Sequence, residues 1–336
     1  MRKVWLLGNH NLLGLVVFAC SAFVSVISVI GDAWALERLR VALSTKDFGY
    51  LSLFVGMRAN FFRDEGFEVQ WIQVNPNVVI AALLGGELDV AAAAGSAQRA
   101  AVRGAPLKSI FFSYAKSTFV LLGSPEVKKV RDLKGKVIGT TGPGSSTELA
   151  ASIVLQHYGL NPKSDVAFFN IGGAESSVVA MQQGVIQARA FNPDAAYVLR
   201  KKGFTELAIL ADLAPWPWAG YATSVQKLTQ ERDKIKRWIR VMVKGLLFML
   251  NRLEETIRIA QAEFGYPRDV IEAALDVSVR AINAKDPGGA DDDTLRKNIE
   301  LTIVQPLKLT EAPSLSKLVD LSLLREVQAE VGIKGR

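Results

Sequence analysis

Residues 139–148, Gly-Thr-Thr-Gly-Pro-Gly-Ser-Ser-Thr-Glu, are the stretch best suited to chemistry. The glycines leave backbone amides uncovered, and Thr141, Ser145, Ser146 and Thr147 surround them with hydroxyls. Ser145 and Glu148 have the spacing of a capping box, so a helix should begin here. A helix start offers free amides and the positive end of its dipole, which suits a carboxylate, sulfonate or phosphate. The rival reading is a purely structural turn. The Gly-Lys-Ser/Thr ending of a P-loop is missing, and so is a G-x-G-x-x-G dinucleotide fingerprint.

Three other loops carry comparable groups. Residues 44–50, Ser-Thr-Lys-Asp-Phe-Gly-Tyr, offer Thr45, Phe48 and Tyr50 to a ligand, or else form an ordinary capping turn. Gly95 and Ser96 follow an apolar run; there Gly95 admits close approach of backbone, and Ser96 is either a ligand contact or a plain N-cap. In 191–194, Phe-Asn-Pro-Asp, Asn192 or Pro193 opens a helix. Asp194 then serves a cationic or hydroxyl group, or only the helix dipole. Trp218 lies in 215–221, Pro-Trp-Pro-Trp-Ala-Gly-Tyr, a stiff aromatic run that can stack on a ligand or fill a hinge core.

Catalytic arrangements fail on supply. The chain holds one Cys, Cys20, and two His, His10 and His157. That set builds neither a zinc cage nor, outside the extreme N-terminus, a Cys–His nucleophile. No G-x-S-x-G elbow, H-E-x-x-H or EF-hand loop occurs. Asp291, Asp292 and Asp293 read as a solvated turn leading into a helix. The expectation is therefore no catalytic residue, no metal and no cofactor.

These loops need a scaffold, and the hydrophobic pattern describes one. The 336 residues are 49% hydrophobic and 22% charged, a globular balance, and the length favours two lobes over one core. The formal charge of +7 is spread thinly, without the clustered basic stripe that nucleic acid requires. Strand-like segments at 38–44, 67–74, 88–94 and 108–114 alternate with helix-like ones at 51–62, 77–84 and 96–104. After a strand at 118–123 and a link, the rhythm restarts through strands at 136–140, 165–170, 186–191 and 206–210 and helices at 146–158, 174–183 and 193–202. A strand at 221–225 returns to the first lobe. From 229 onward the pattern is helical, with Ile235, Trp238, Ile239, Met242, Leu246, Met249, Leu250 and Leu253 on one face of a long helix. Further helices are expected at 268–283, 292–304 and 321–331. The reading is α/β, each lobe a mostly parallel sheet covered by helices, with a helical C-terminal region. Lobe 1 takes 36–123 and 219–336, and lobe 2 takes 124–218.

Residues 1–35 read as a signal peptide: Arg2 and Lys3, an apolar stretch over 12–30, then Ala33-Trp34-Ala35. Cleavage after Ala35 removes both Cys20 and His10. A retained anchor helix and lipid attachment at Cys20 are the alternatives.

Several segments together resemble the nitrate/sulfonate/taurine branch of ABC-transporter solute-binding proteins, which includes thiamine-pyrimidine binders. They are 61–69 (FFRDEGFEV), 81–90 (AALLGGELDV), 104–108 (GAPLK), 132–139 (DLKGKVIG) and 158–162 (YGLNP). The resemblance implies a periplasmic-binding-protein type II fold, a Venus flytrap closing on a small solute that is anionic or polar-aromatic. It also implies delivery to an ABC permease and its ATPase, periplasmic location, contact with the membrane only through the transporter, and a monomer. By the same likeness the loops at Thr45, Ser96, Thr141 and Asn192 line the cleft. Gln187 departs from the family, where an acidic residue is common. The cysteine-rich segment of the pyrimidine-synthesising relatives is absent, which argues against an enzyme. The alternative is a secreted enzyme or ligand sensor reusing the fold.

Overall fold

The computed structural model describes residues 35–333 except Thr45, Asn75 and Pro215. The signal-peptide reading therefore lies outside the described residues, apart from Ala35. Two five-stranded sheets organise the chain. The first contains β1 (Glu37–Leu43), β2 (Phe67–Gln73), β3 (Val90–Ala91), β4 (Leu107–Tyr114) and β10 (Trp218–Ser224), in the order β2-β1-β3-β10-β4. The second contains β5 (Val120–Gly123), β6 (Val137–Thr140), β7 (Ala167–Asn170), β8 (Ala188–Phe191) and β9 (Thr205–Ile209), in the order β7-β6-β8-β5-β9.

In each sheet one strand runs against the others: β10 is antiparallel to β3 and β4, and β5 to β8 and β9. The remaining described pairs, β1 with β3 and β6 with β7 and β8, are parallel. Strand β5 thus belongs to the second sheet, although the sequence reading put 118–123 in lobe 1. Its Val120 and Leu122 pack with Phe191 and Leu199 of that lobe, so its apolar face is committed there. The chain passes between the sheets at 115–119 and again at 210–217.

The helices follow the expected faces with three differences. Helix α1 (Leu51–Arg58) stops short of 62, because Asn60 turns into the left-handed region at φ 60°. Helix α2 (Ala94–Val102) begins at Ala94 and is preceded by a β3 of only two residues, so Ser96 lies inside its first turn and is not the N-cap. The lobe 2 helices α3 (Ser146–His157), α4 (Ala174–Gln182) and α5 (Pro193–Lys201) stand where the sequence put them.

The third difference is in the C-terminal region. The long helix α6 (Arg232–Asn251) buries Ile235, Trp238, Ile239, Met242, Leu246 and Met249 against β4, β10 and α1. It breaks at Arg252 (φ −130°, ψ 59°), and a separate α7 (Leu253–Phe264) follows. Helix α8 (Arg268–Ala281) then packs on α5, so a C-terminal helix touches the second lobe. Helix α9 (Asp292–Ile299) passes into one π-helical turn at 300–304, and α10 (Ser322–Glu330) closes back on α6. Among the described residues no helix is long and apolar enough to cross a membrane.

Candidate functional site

Parallel strands in both lobes end toward one cleft, which holds a cavity of about 930 Å³. This is where an open α/β sheet binds ligands, beyond the carboxyl ends of its strands. The loops after β1, β3, β6, β7 and β8 all contribute lining residues. The floor is β10. Gly220 is required there, because a Cβ would come within 2.6 Å of Ala94 and 2.7 Å of the Phe112 ring. Next to it, Ala219 is held in the left-handed region at φ 50°, the kind of strain that clusters at functional sites.

The structure brings most of the sequence-selected residues together. Tyr50, Gly95, Ser96, Thr141, Ser145, Ser146, Thr147, Asn192, Asp194 and Trp218 all line the cavity. Phe48 does not. It is fully buried in the lobe 1 core with its ring 5.5 Å from Phe264, because its short 3-10 turn points it inward. Thr45 lies outside the described residues.

The Gly-rich loop folds as its spacing predicts, with one adjustment. Ser145 caps α3, its hydroxyl accepting from the Glu148 N–H at 3.4 Å. The Glu148 carboxylate reaches back to the Gly144 N–H at 3.3 Å, one residue before the cap. Thr147 Oγ1 accepts from the Thr141 N–H at 3.0 Å and lies 3.0 Å from Ser145 Oγ, so it clasps the loop. It is thus already committed within the protein, whereas among the described residues no hydrogen bond engages the Ser146 hydroxyl.

The charged groups of the cleft decide its chemistry, and the sequence reading missed most of them. Arg189 on β8 is 4% exposed and donates to the Gly173 carbonyl and the Ser177 hydroxyl. Its Nε has no partner, and no described carboxylate pairs with it. Burial lowers its pKa to about 10. From the facing lobe comes Arg99 on α2, one of whose amines lies 3.2 Å from Ser96 Oγ; it too lacks a carboxylate, and burial lowers its pKa. Ser96, Ser146, Ser176 and the N-terminus of α4, whose cap Gly173 leaves the first amides without a side-chain acceptor, line the same cavity. Cations without a carboxylate, hydroxyls and free amides are the kinds of group that favour an anion over a cation.

A second charged group sits elsewhere on the wall. Burial and the nearby charge of Asp194 push Asp47 up to about 7, and burial raises Asp194. Tyr266 lines the cavity beside Asp194, and Lys46 is held by Glu263 at 2.9 Å. Glu263, Phe264 and Tyr266 line the cleft from the end of α7 and the turn after it, beyond a helix break at Arg252 that the continuous apolar stripe concealed. The aromatic wall is Trp218, with Phe119 at 4.4 Å and Trp216 at 5.7 Å between ring centroids. Trp216 and Trp218 thus pack on Phe119 and on each other and also line the cavity. Gln187 is not a cleft residue; it accepts from the Val137 N–H and donates to the Gly184 carbonyl, tying β6 to the turn before β8. Among the described residues no group of His, Cys, Asp and Glu is arranged to hold a metal ion.

Known structures share this architecture. A protein of Bordetella bronchiseptica RB50 is 19% identical over 88% of this chain and 98% of its own, with a TM-score of 0.73. The alkanesulfonate-binding protein SsuA of Xanthomonas axonopodis pv. citri, solved bound to MOPS, is 18% identical over 84% and 98%, with a TM-score of 0.68. The desulfurization enzyme DszB is 11% identical over 88% and 99%, with a TM-score of 0.60. At such identities the likeness is one of fold, and the fold alone carries both binders and an enzyme. No curated protein matches the sequence. The family model described as NMT1/THI5 like matches residues 48–256, which run from lobe 1 through lobe 2 and into the long helix α6. The chain therefore belongs to the NMT1/THI5-like family.

Proposed function

We propose that this protein is an exported solute receptor of an ABC importer, binding a small anion in the cleft and passing it to a membrane permease and its ATPase. The observation that carries this is the pair Arg189, buried, and Arg99, half-buried, one from each lobe and neither with a described carboxylate partner. A buried cation without a counterion is costly, so a ligand that supplies the charge gains what the empty protein lacks. Arg99 and Arg189 hold the anion, Ser96 and Ser146 with the α4 amides complete its hydrogen bonds, and Trp218 covers its apolar part. The lobes hinge at 115–119 and 210–217 and close on the solute. The domain assignment is 38–114 with 218–333 for lobe 1 and 120–209 for lobe 2. The monomer and the periplasmic location are part of the same proposal, as is the signal peptide over 1–35.

Catalysis is disfavoured by what the cleft contains. Cys20 is the sole cysteine of the chain, and His157 is exposed in the last turn of α3, not in the cleft lining. Among the described residues the cleft lining holds no thiol or imidazole for the nearby acids to activate. The test is a thermal-shift panel of sulfonates, phosphates, carboxylates and nitrate, since a ligand that binds only the folded state raises its melting temperature. Hits confined to anions, and lost in Arg189→Gln, support the proposal. Hits confined to neutral solutes, or indifferent to Arg189→Gln, contradict it.

A further inference from the structure

The cavity of about 930 Å³ is far roomier than a sulfonate or carboxylate group requires, so the ligand has a body as well as an anionic end. Among the lining groups that the anion reading leaves without a task are Gln98 on α2 and Asn298 on α9. Gln98 is 1% exposed and Asn298 3%. The Gln98 Nε2 has no acceptor, and the Asn298 Oδ1 has no donor, among the described residues. Ala94 and Ala101 lie one helical turn to either side of Gln98, and Leu295 lies one turn before Asn298. All three pack in one apolar cluster with Phe112, Ile299 and Ile303. The two amides therefore stand on helix faces that meet in the same apolar surroundings.

The end of α9 points to the same place. Its π-helical turn at 300–304 is a rare distortion of the kind that recurs at functional sites. The turn carries Thr302 onto the cavity wall, buried, with its Oγ1 donating to the Asn298 carbonyl at 2.8 Å. Leu301, in the same turn, packs against the apolar cluster of lobe 2. The irregular backbone thus lies where the lobes meet, beside an amide that nothing in the protein engages.

We propose that Gln98 and Asn298 form a polar recess of the cleft that reads an uncharged group able both to donate and to accept a hydrogen bond, a hydroxyl or a primary carboxamide, on the ligand held at Arg99 and Arg189. The inference rests on the anion reading for the ligand's other end. A buried amide without a partner is costly to the ligand-free protein, and a partner that arrives with the ligand removes that cost. A hydroxyl accepts from the Gln98 N–H and donates to the Asn298 oxygen, and a carboxamide does the same through its oxygen and its NH2 group. An apolar tail meets neither atom. A second anionic group faces the Asn298 oxygen with another acceptor, and an ammonium faces the Gln98 N–H with another donor. A site built to bond a hydroxyl rejects the analogue that lacks it, because its own polar atoms are then left unpaired.

Matched probes read the recess: 3-hydroxypropane-1-sulfonate against propane-1-sulfonate, and 4-hydroxybutanoate and succinamate against butanoate. Thermal unfolding of the full chain is followed with each, in the parent and in Gln98→Met and Asn298→Leu, which keep the approximate shape and remove the amide. In the parent, a hydroxyl or carboxamide member should bind at least about tenfold more tightly than its plain partner, and either variant should close the gap. Without any ligand, each variant should melt about 2 °C or more above the parent, since an unpartnered amide has given way to an apolar side chain. Equal binding within every set, a gap that survives both variants, or variants that melt below the parent overturns the proposal. The last result would mean that a resident water already satisfies the amides. The anion reading is read separately, from the plain anions in Arg189→Gln. If they lose binding there while no gap appears in the parent, the anion reading stands and the recess falls. If they bind regardless of Arg189 while the variants melt higher and close a gap, the recess stands and the anion reading falls. No binding by any probe overturns both.

Discussion

Asp89 and Arg189 are buried to a similar degree and live in opposite circumstances. Asp89, fully buried at the start of β3, is surrounded by countercharge: Lys227 at 2.8 Å and Lys234 at 3.1 Å on Oδ1, and the Arg40 N–H at 2.7 Å on Oδ2. These bonds join β1, β3 and the connection into α6, at the end of the sheet away from the cleft. The result is a carboxylate held below its ordinary pKa despite its burial. Arg189 lines the cleft with neutral partners only, and burial lowers its pKa. A buried charge that the fold has satisfied is structural, whereas one left for something else to satisfy marks where a ligand belongs.

The largest effect expected from that contrast is at the satisfied end. Asp89→Ala removes the buried carboxylate that Lys227 and Lys234 share and leaves the two lysines to Glu231 alone, and should cost about 3 kcal/mol in urea unfolding. A loss below about 1 kcal/mol would mean that the cluster is no better satisfied than the cleft.

The cleft end should respond with the opposite sign. Asp47 has a folded pKa of about 7, above its ordinary 3.8, so ionising it costs the folded state. That penalty is absent at pH values below the unfolded pKa, grows as pH rises between the two values, and is complete above about 7. Asp47→Asn keeps the oxygen that caps Gly49 and removes the charge. The ligand-free variant should be more stable than the parent at pH 8, on the order of 2–4 kcal/mol, with the difference vanishing near pH 3.5. A variant less stable at pH 8 would place Asp47 among the satisfied charges.

A smaller effect separates the two serines of the Gly-rich loop. Ser145→Ala removes the α3 cap and should lower stability by about 1 kcal/mol whether or not ligand is present. Ser146→Ala should leave stability unchanged within about 0.5 kcal/mol and weaken anion binding by roughly tenfold. Equal stability losses in both would show Ser146 to be a structural hydroxyl.

The same contrast explains what could be read from the sequence. The alternation at 38–44, 67–74 and 108–114 and the capping spacing of Ser145 and Glu148 are local patterns, and their elements formed with ends shifted by a residue or so. Loops at strand ends follow from that order, so most of the candidate residues did converge. Phe48 failed because a ring in a loop looks the same whether it faces a ligand or a core. Arg189 was hidden inside a short apolar strand, where nothing local says that its partner is missing. Glu263 and Tyr266 were hidden by the break at Arg252, which interrupts neither the hydrophobic period nor the charge pattern. Missing partners are a property of the fold, and the sequence lists only the residues present.

The central claim is that Arg189 is kept unpaired for an anion. The most direct measurement is calorimetric titration of Arg189→Gln with the tightest-binding anion from the panel, beside the parent at the same pH and salt. The account predicts a loss of about tenfold to a hundredfold or more in affinity, as expected for a charge-assisted contact. Affinity within about twofold of the parent would contradict it and return Arg189 to the role of a buried structural residue.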